Sequence, residues 1–328
     1  MSTKRKIKVA VLRGGPSSEY EVSLKTGAGV LANLPEDYES IDVLIDKAGV
    51  WHIGGVPFIP HNLHKRADVA FNAMHGEYGE DGTVQRLLEH IGIPFTGSGS
   101  LASALGMNKG LTKKVFKHHG IKTPVHRVID KKDFNENTAK ELFMSFTQPC
   151  VLKPASAGSS VGVTLAHSIE DIKTGLDKAF AIGDKVIVEE LIKGKEATCG
   201  VLENFRGEDI YALFPIEIVP KKEQKFYDFE SKYSNDNGAE HICPGNFTKE
   251  ETEEIKRMAT LIHKSVGARH YSRSDFIVHP KRGVYALEIN TLPGLTPTSL
   301  IPDEMTAIGS SYGELLDHLI KLALNGEK

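Results

Sequence analysis

The chain has 328 residues, enough for two or three domains of ordinary size. Apolar residues make up 40% and charged residues 25%, so a normal core can form without disulfide or metal staples. The formal charge of −3, with Lys and Arg scattered, argues against a nucleic-acid surface, and no run nears the roughly 20 apolar residues that span a bilayer.

In chain order, Lys8 to Leu12 reads as a buried strand, and Gly14-Gly15-Pro16 turns the chain into a helix over Val22 to Leu34. Ser40 to Ile45 and Asp68 to Met74 are further strands, and Gly82 to Ile91 is a second helix. This rhythm predicts a parallel, Rossmann-like sheet whose ligands gather at the carboxyl ends of its strands. The composition shifts near Gly97-Ser98-Gly99-Ser100. A helical pattern at Lys109 to His119 follows, then strands at Pro149 to Lys153, Val161 to Ala166 and Lys185 to Leu191 around a helix at Ile169 to Ala179. That order suggests a small α+β unit. A polar stretch runs from Lys221 to Gly238. Thr248 and Glu251 form a capping-box pattern before a helix at Thr252 to Val266. Two strands, a Pro- and Gly-rich segment and a closing helix at Tyr312 to Leu324 complete the chain. Cys150, Cys199 and Cys243 are odd in number and far apart, which reads as free thiols in a reducing compartment. The apolar run after Met1 to Lys6 is too short for a signal peptide, so the cytoplasm is the expected location.

The chemistry concentrates in the strand pair Ser274 to His279 and Val284 to Asn290, joined by Pro280-Lys281-Arg282-Gly283. If His279 pairs with Val284, Asp275 falls opposite Glu288 and Arg273 opposite Asn290, all on one face. Two carboxylates held that close repel, so a cation is expected between them. Mg²⁺ suits carboxylate and amide oxygens, above all when phosphate oxygens complete its shell. Arg273 can reach a phosphate or a developing oxyanion. A solvated polar hairpin is the plainer alternative for these strands alone.

Other segments carry weaker signals singly. Lys153 begins a small-residue loop through Ser159 whose backbone N–H groups could approach phosphate, although neither a P-loop nor a G-x-G-x-x-G pattern occurs. Lys109 precedes a helix and would ordinarily be a surface lysine. Val186 to Glu190 could present backbone to an adenine edge, and Glu196 could accept from ribose hydroxyls. Glu19 could hold an ammonium or simply complement a helix dipole. His75 lies in a second polar loop, where Glu80 and Asp81 favour the next helix N-terminus. Lys232 and Tyr233 sit in the polar stretch, which could close over a site and exclude water from a reactive acyl phosphate.

The order of these pieces resembles the D-alanine–D-alanine ligases of the ATP-grasp superfamily. The resemblance rests on GGPSSEYEVS, HGEYGEDG, the Lys109 segment, VLKPASAGSSVGV, VIVEELIKGKE, FYDFESKY, RSDF and EINTLPGLTPTSL, spanning Gly14 to Leu300. It implies an N-terminal α/β substrate-binding domain at 1–104, a central ATP-grasp domain at 105–190 and a C-terminal ATP-grasp domain at 191–328. It implies ATP as co-substrate, two Mg²⁺ (or Mn²⁺), D-alanine as substrate, a homodimer and a role in peptidoglycan synthesis. Lys109, Lys153 and Lys232 match lysines on the ATP phosphates. Glu189, Glu190 and Ile192 match the adenine segment, Glu196 the ribose ligand, and Asp275, Glu288 and Asn290 the metal ligands. Glu19 matches the acid on the first ammonium, linked to Ser159 and Tyr233. Arg273 and the N–H of Gly294 match the oxyanion stabilisers. Ser299 and Leu300, with His75 nearby, match the second carboxylate site. Asn108 and Glu190 depart from the commoner aspartate and lysine, which implies altered ATP affinity at most. Tyr233 after Lys232 resembles the D-alanine-specific type. Rival readings are a ligase for D-lactate or D-serine, a nucleotide-binding protein without turnover, and a dinucleotide oxidoreductase.

Overall fold

The computed structural model describes residues 5–156, 162–220 and 239–326. Ser159, Lys232 and Tyr233 lie outside them, as does the whole polar stretch from Lys221 to Gly238.

The first sheet is built from β1 (Ile7–Gly14), β2 (Tyr38–Ile45), β3 (Trp51–Ile53), β4 (Val56–Phe58) and β5 (Val69–Asn72), with helices α1 (Tyr20–Asn33) and α2 (Thr83–Ile91). Its order is β4-β3-β2-β1-β5. The expected parallel pairing holds for β1 with β2 and with β5. The sheet is nevertheless mixed, because β3 and β4 add an antiparallel hairpin at one edge. Those strands have three residues each, too short for alternation to reveal. Gly14 closes β1 at φ +89, and a Cβ there would lie 2.2 Å from the Ile45 carbonyl oxygen. Only glycine lets the chain turn there and bring Glu19 to the carboxyl end of the sheet.

Helices α3 (Ser100–Met107) and α4 (Lys109–His118) follow. Asn108 caps α4 by accepting from the Leu111 N–H. The second sheet, in order β6-β9-β7-β8, is antiparallel: β6 (His126–Asp130), β7 (Cys150–Pro154), β8 (Thr164–Ala166) and β9 (Lys185–Glu190). Helices α5 (Thr138–Ser145) and α6 (Ile169–Phe180) cover one face through Leu142, Leu152, Ile172, Leu176, Val186 and Val188. Lys153 and Glu189 therefore project from the opposite face.

The third sheet holds β10 (Lys195–Phe205), β11 (Glu208–Ala212), β12 (Ile216–Val219), β13 (Glu240–Ile242), β14 (Tyr271–His279) and β15 (Gly283–Asn290). Helix α7 (Lys249–Val266) begins at the expected Thr248–Glu251 capping box and packs on one face against Ala197, Cys199, Phe276, Val284 and Ile289. The Pro- and Gly-rich segment contains helix α8 (Leu300–Ala307), and α9 (Tyr312–Asn325) closes the chain. A core of Val9, Val11, Phe71, Leu202, Tyr271, Leu292, Leu315 and Leu319 joins the first sheet to the third. All three cysteines are free, with Cys150 and Cys199 buried. Among the described residues, no helix is long and apolar enough to cross a membrane.

Candidate active site

The hairpin β14–β15 turns one residue earlier than the sequence suggests. His279 pairs with Gly283 and Val278 with Val284, so the expected His279–Val284 register is corrected. A bulge between Phe276 and Asp275 then restores the pairing: Asp275 lies opposite Glu288, and Arg273 opposite Asn290. Paired residues share a face. The bulge therefore puts Glu288 and Asn290 on the side that already carries Ile277 and Tyr285. Ile192, Ile277, Tyr285 and partly buried Leu287 form an apolar patch beside the acids. Glu196 pairs with Ile277 on β10 and joins the same face.

Cations meet the expected repulsion. Arg273 Nε donates to Asp275 Oδ1 at 3.0 Å, and Thr198 Oγ1 donates to the same oxygen at 2.7 Å. Lys109 Nζ lies 3.2 Å from Glu288 Oε2. Burial works against the Arg273 charge, but Asp275, with Glu288 and Glu304 behind it, outweighs burial and leaves the guanidinium pKa raised. Asn290 Oδ1 accepts from the Leu292 N–H at 2.9 Å and keeps a second lone pair. Two carboxylates and an amide oxygen on one sheet face are a hard-oxygen donor set, which fits Mg²⁺.

Across from this face, Lys153 Nζ lies 3.1 Å from Glu189 Oε2 and Lys113 Nζ 2.9 Å from Glu189 Oε1. Burial opposes ionisation of Glu189, and the two lysines more than offset it, so its pKa is lowered. Burial opposes the Lys153 charge too, and Glu189 and Glu288 carry its pKa upward. Lys113 is lowered to about 8, since burial there exceeds the pull of Glu189. The sequence reading missed Lys113. Its signal was the spacing of four from Lys109, which places both on one helix face. The Glu190 carboxylate is engaged elsewhere: Arg282 donates to it at 3.0 Å and the Val125 N–H at 3.0 Å. Its backbone N–H donates to the Val125 carbonyl at 2.9 Å, so its carbonyl is the part that can address a base.

A second group lies at the carboxyl ends of β1 and β5. Ligand atoms of Glu19, His75 and Glu80 all fall within 4.8 Å of one another. His75 is buried, with Nδ1 3.0 Å from Glu80 Oε1 and Nε2 2.8 Å from Thr26 Oγ1. Glu80 was expected only to favour the next helix; Asp81 does that, accepting from the Thr83 N–H at 2.8 Å. A Cβ on Gly294 would lie 3.2 Å from Ser299 Oγ and 3.7 Å from the His75 ring. The segment after β15 thus brings Gly294 and Ser299 up to the first sheet. Ser299 stands at the N-terminus of α8 with Leu300 next, and its Oγ contacts Thr296 Oγ1 at 2.7 Å.

Known proteins resemble this chain over nearly its whole length. The model of the D-ala D-ala ligase C-terminus matches residues 115–321, and that of the N-terminus matches 8–58 and 54–98. A D-alanine–D-alanine ligase of Pelotomaculum thermopropionicum is 38% identical over 323 residues, covering 97% of each chain. One of Geobacter sulfurreducens is 40% identical over 326 residues, covering 98% of this chain and 96% of its own. A D-Ala:D-Ser ligase structure from Enterococcus faecalis superposes with TM-score 0.86 at 30% identity, covering 97% of this chain and 100% of its own. The Bacillus anthracis D-alanine–D-alanine ligase complexed with ATP gives TM-score 0.78 at 31% identity, covering 97% of each. The chain belongs to the D-alanine–D-alanine ligase family.

Proposed function

We propose that the chain is an ATP-dependent ligase that joins two D-alanines into D-alanyl-D-alanine for peptidoglycan precursors. One observation carries this reading: the acids and cations of two facing sheets converge beside an apolar patch, while Glu19, His75 and Gly294 meet at a neighbouring strand end. The patch around Ile192 takes the adenine ring, Glu189 and the Glu190 backbone take its edge, and Glu196 takes the ribose. Lys109, Lys153 and Lys232 hold phosphate oxygens. Asp275, Glu288 and Asn290 would hold two Mg²⁺ (or Mn²⁺), whose charge offsets that of the phosphates.

Glu19, supported by Ser159 and Tyr233, holds the first D-alanine by its ammonium and aims its carboxylate at the γ-phosphate. Phosphoryl transfer to that carboxylate releases ADP. The free amine of the second D-alanine, whose carboxylate rests on Ser299 and the Leu300 N–H beside His75, then attacks the acyl phosphate, and the tetrahedral intermediate expels inorganic phosphate and loses the amine proton. Arg273 and the Gly294 N–H stabilise the tetrahedral oxyanion. Asp275 keeps the guanidinium charged and fixed before the oxyanion forms, so little reorganisation is needed. In the same reading the chain divides at 104/105 and 190/191, and it works as a homodimer in the cytoplasm.

The test is ADP release with D-alanine, L-alanine, D-lactate and D-serine as sole or second substrate. D-alanine alone should support turnover and L-alanine should not. The Enterococcus faecalis neighbour makes D-serine the informative competitor. Turnover that requires D-serine as second substrate would overturn the D-alanine assignment.

A further inference from the structure

Lys113 stands one helical turn beyond Lys109 on α4, with its side chain fully enclosed. Its Nζ lies 2.9 Å from Glu189 Oε1 and donates to Thr123 Oγ1 at 2.7 Å. Lys153 takes the other Glu189 oxygen at 3.1 Å. Two ammonium groups thus share one buried carboxylate, although one would neutralise it.

The second cation makes sense in terms of what the first must do. Lys153 serves a phosphate in the proposed reaction, and to reach one it must leave Glu189 Oε2. With Lys153 as sole partner, its departure would strand a buried carboxylate, which would either draw a proton or hold the lysine back. Lys113 cannot follow, because its stem is enclosed and Thr123 anchors its head.

We propose that Lys113 is a positioning residue, the permanent counter-ion that keeps Glu189 ionised and oriented while Lys153 transfers to phosphate. The oxygen that Lys153 vacates then accepts from the exocyclic amine of adenine. A guanine carbonyl at that place would face the carboxylate, so the same pair favours ATP over GTP. This inference rests on the reading of Glu189 as the adenine acid.

The test uses the full chain and its variants Lys113→Met, Glu189→Gln and the double substitution. A non-hydrolysable ATP analogue with Mg²⁺ is titrated, and KM is measured for ATP, GTP and D-alanine. Lys113→Met should weaken the analogue by about tenfold or more, the range of a hydrogen bond to a charged group, and narrow the ATP/GTP ratio. The D-alanine KM should stay within about twofold. In the Glu189→Gln background, the effect of Lys113→Met should shrink to under about twofold, because no charge is left to balance. Lys113→Arg should recover part of the loss. Wild-type nucleotide affinity in Lys113→Met, or an equal loss in the Glu189→Gln background, refutes the counter-ion role. Wild-type affinity and base preference in Glu189→Gln refutes the adenine reading, and the inference with it. If Lys113→Met does not fold, Thr123→Val, which releases the anchor, is compared across the same two backgrounds: a loss confined to the Glu189 background supports the role, and an equal loss in both overturns it.

Discussion

Arg273 and Asp275 illustrate how little separates a structural ion pair from a working one. Their contact at 3.0 Å is half-buried and backed by Thr198. Replacing Arg273 with alanine should cut turnover on the order of 10²–10³-fold, the usual cost of a lost oxyanion donor. Arg273→Lys should recover only part, since one ammonium cannot reproduce the planar fork. Steady-state rates at saturating ATP and D-alanine check this, and unchanged turnover in Arg273→Ala would remove Arg273 from the chemistry. Asp275→Asn keeps the Thr198 contact but loses the charge. The Mg²⁺ concentration for half-maximal rate should rise several-fold, and a superimposable Mg²⁺ titration would count against the metal assignment. At this scale the sequence was informative: residue types and order named Asp275, Glu288, Asn290, Lys109 and Lys153. Lys113 escaped because an isolated lysine on a helix reads as solvated; only the tertiary structure shows it buried against Glu189 of β9.

At the scale of elements, β10 and α8 meet closely at Gly200, near the second-substrate segment. Strand β10 pairs with β12 up to Thr198 and with β11 from Val201 onward. Gly200 lies at the gap, opposite Arg273, and its N–H donates to Glu304 Oε1 at 2.7 Å. The Glu304 carboxyl is fully buried, and burial raises its pKa well above the carboxylate range. A Cβ on Gly200 would sit 2.4 Å from Glu304 Oε2 and 2.4 Å from Ile301 Cδ1. Gly200→Ala should therefore destabilise the protein by about 1–3 kcal/mol, as overpacked cores do. It should also raise the KM for the second D-alanine, because Ser299 and Leu300 ride on α8. Urea midpoints and two-substrate kinetics test both effects; a wild-type urea midpoint would contradict the packing argument. The sequence could not indicate this joint, since β10 to β13 do not alternate cleanly and the partner change depends on long-range pairing.

Across the whole molecule, His270 ties the first sheet to the third. It is buried at φ +63, and its Nδ1 accepts from the Gly97 N–H at 3.0 Å. Burial lowers its pKa to about 4, helped by the neighbouring Arg269 charge. Between pH 6.5 and 4 the unfolded chain binds a proton there that the native protein does not. Stability from this group is therefore complete above pH 6.5 and declines as pH falls toward 4, by on the order of 3 kcal/mol. His270→Asn tolerates the left-handed backbone and keeps an acceptor for Gly97, but it does not titrate in this window. Urea unfolding at pH 7 and pH 4.5 should show a smaller loss in the variant, whereas parallel losses would mean that His270 is not the cause.

The sequence alone determined the parallel centre of the first sheet, the larger helices, the cap at Thr248, and the strand pair that carries Asp275, Glu288 and Asn290. These follow from local periodicity and side-chain chemistry, which neighbouring residues express without the rest of the chain. The tertiary structure decided which residues meet. In a regular hairpin with the observed turn, Asp275 would oppose Leu287, and Glu288 would oppose Ser274 on the α7-covered face. The bulge leaves Leu287 beside the apolar patch and brings Glu288 to that same face, opposite Asp275. A bulge opposes two residues of one strand to one of its partner and so re-aims the side chains beyond it, a feature of the pairing and not of either strand's own alternation. The pairing of Lys113 with Glu189 and the approach of Gly294 to His75 have the same origin.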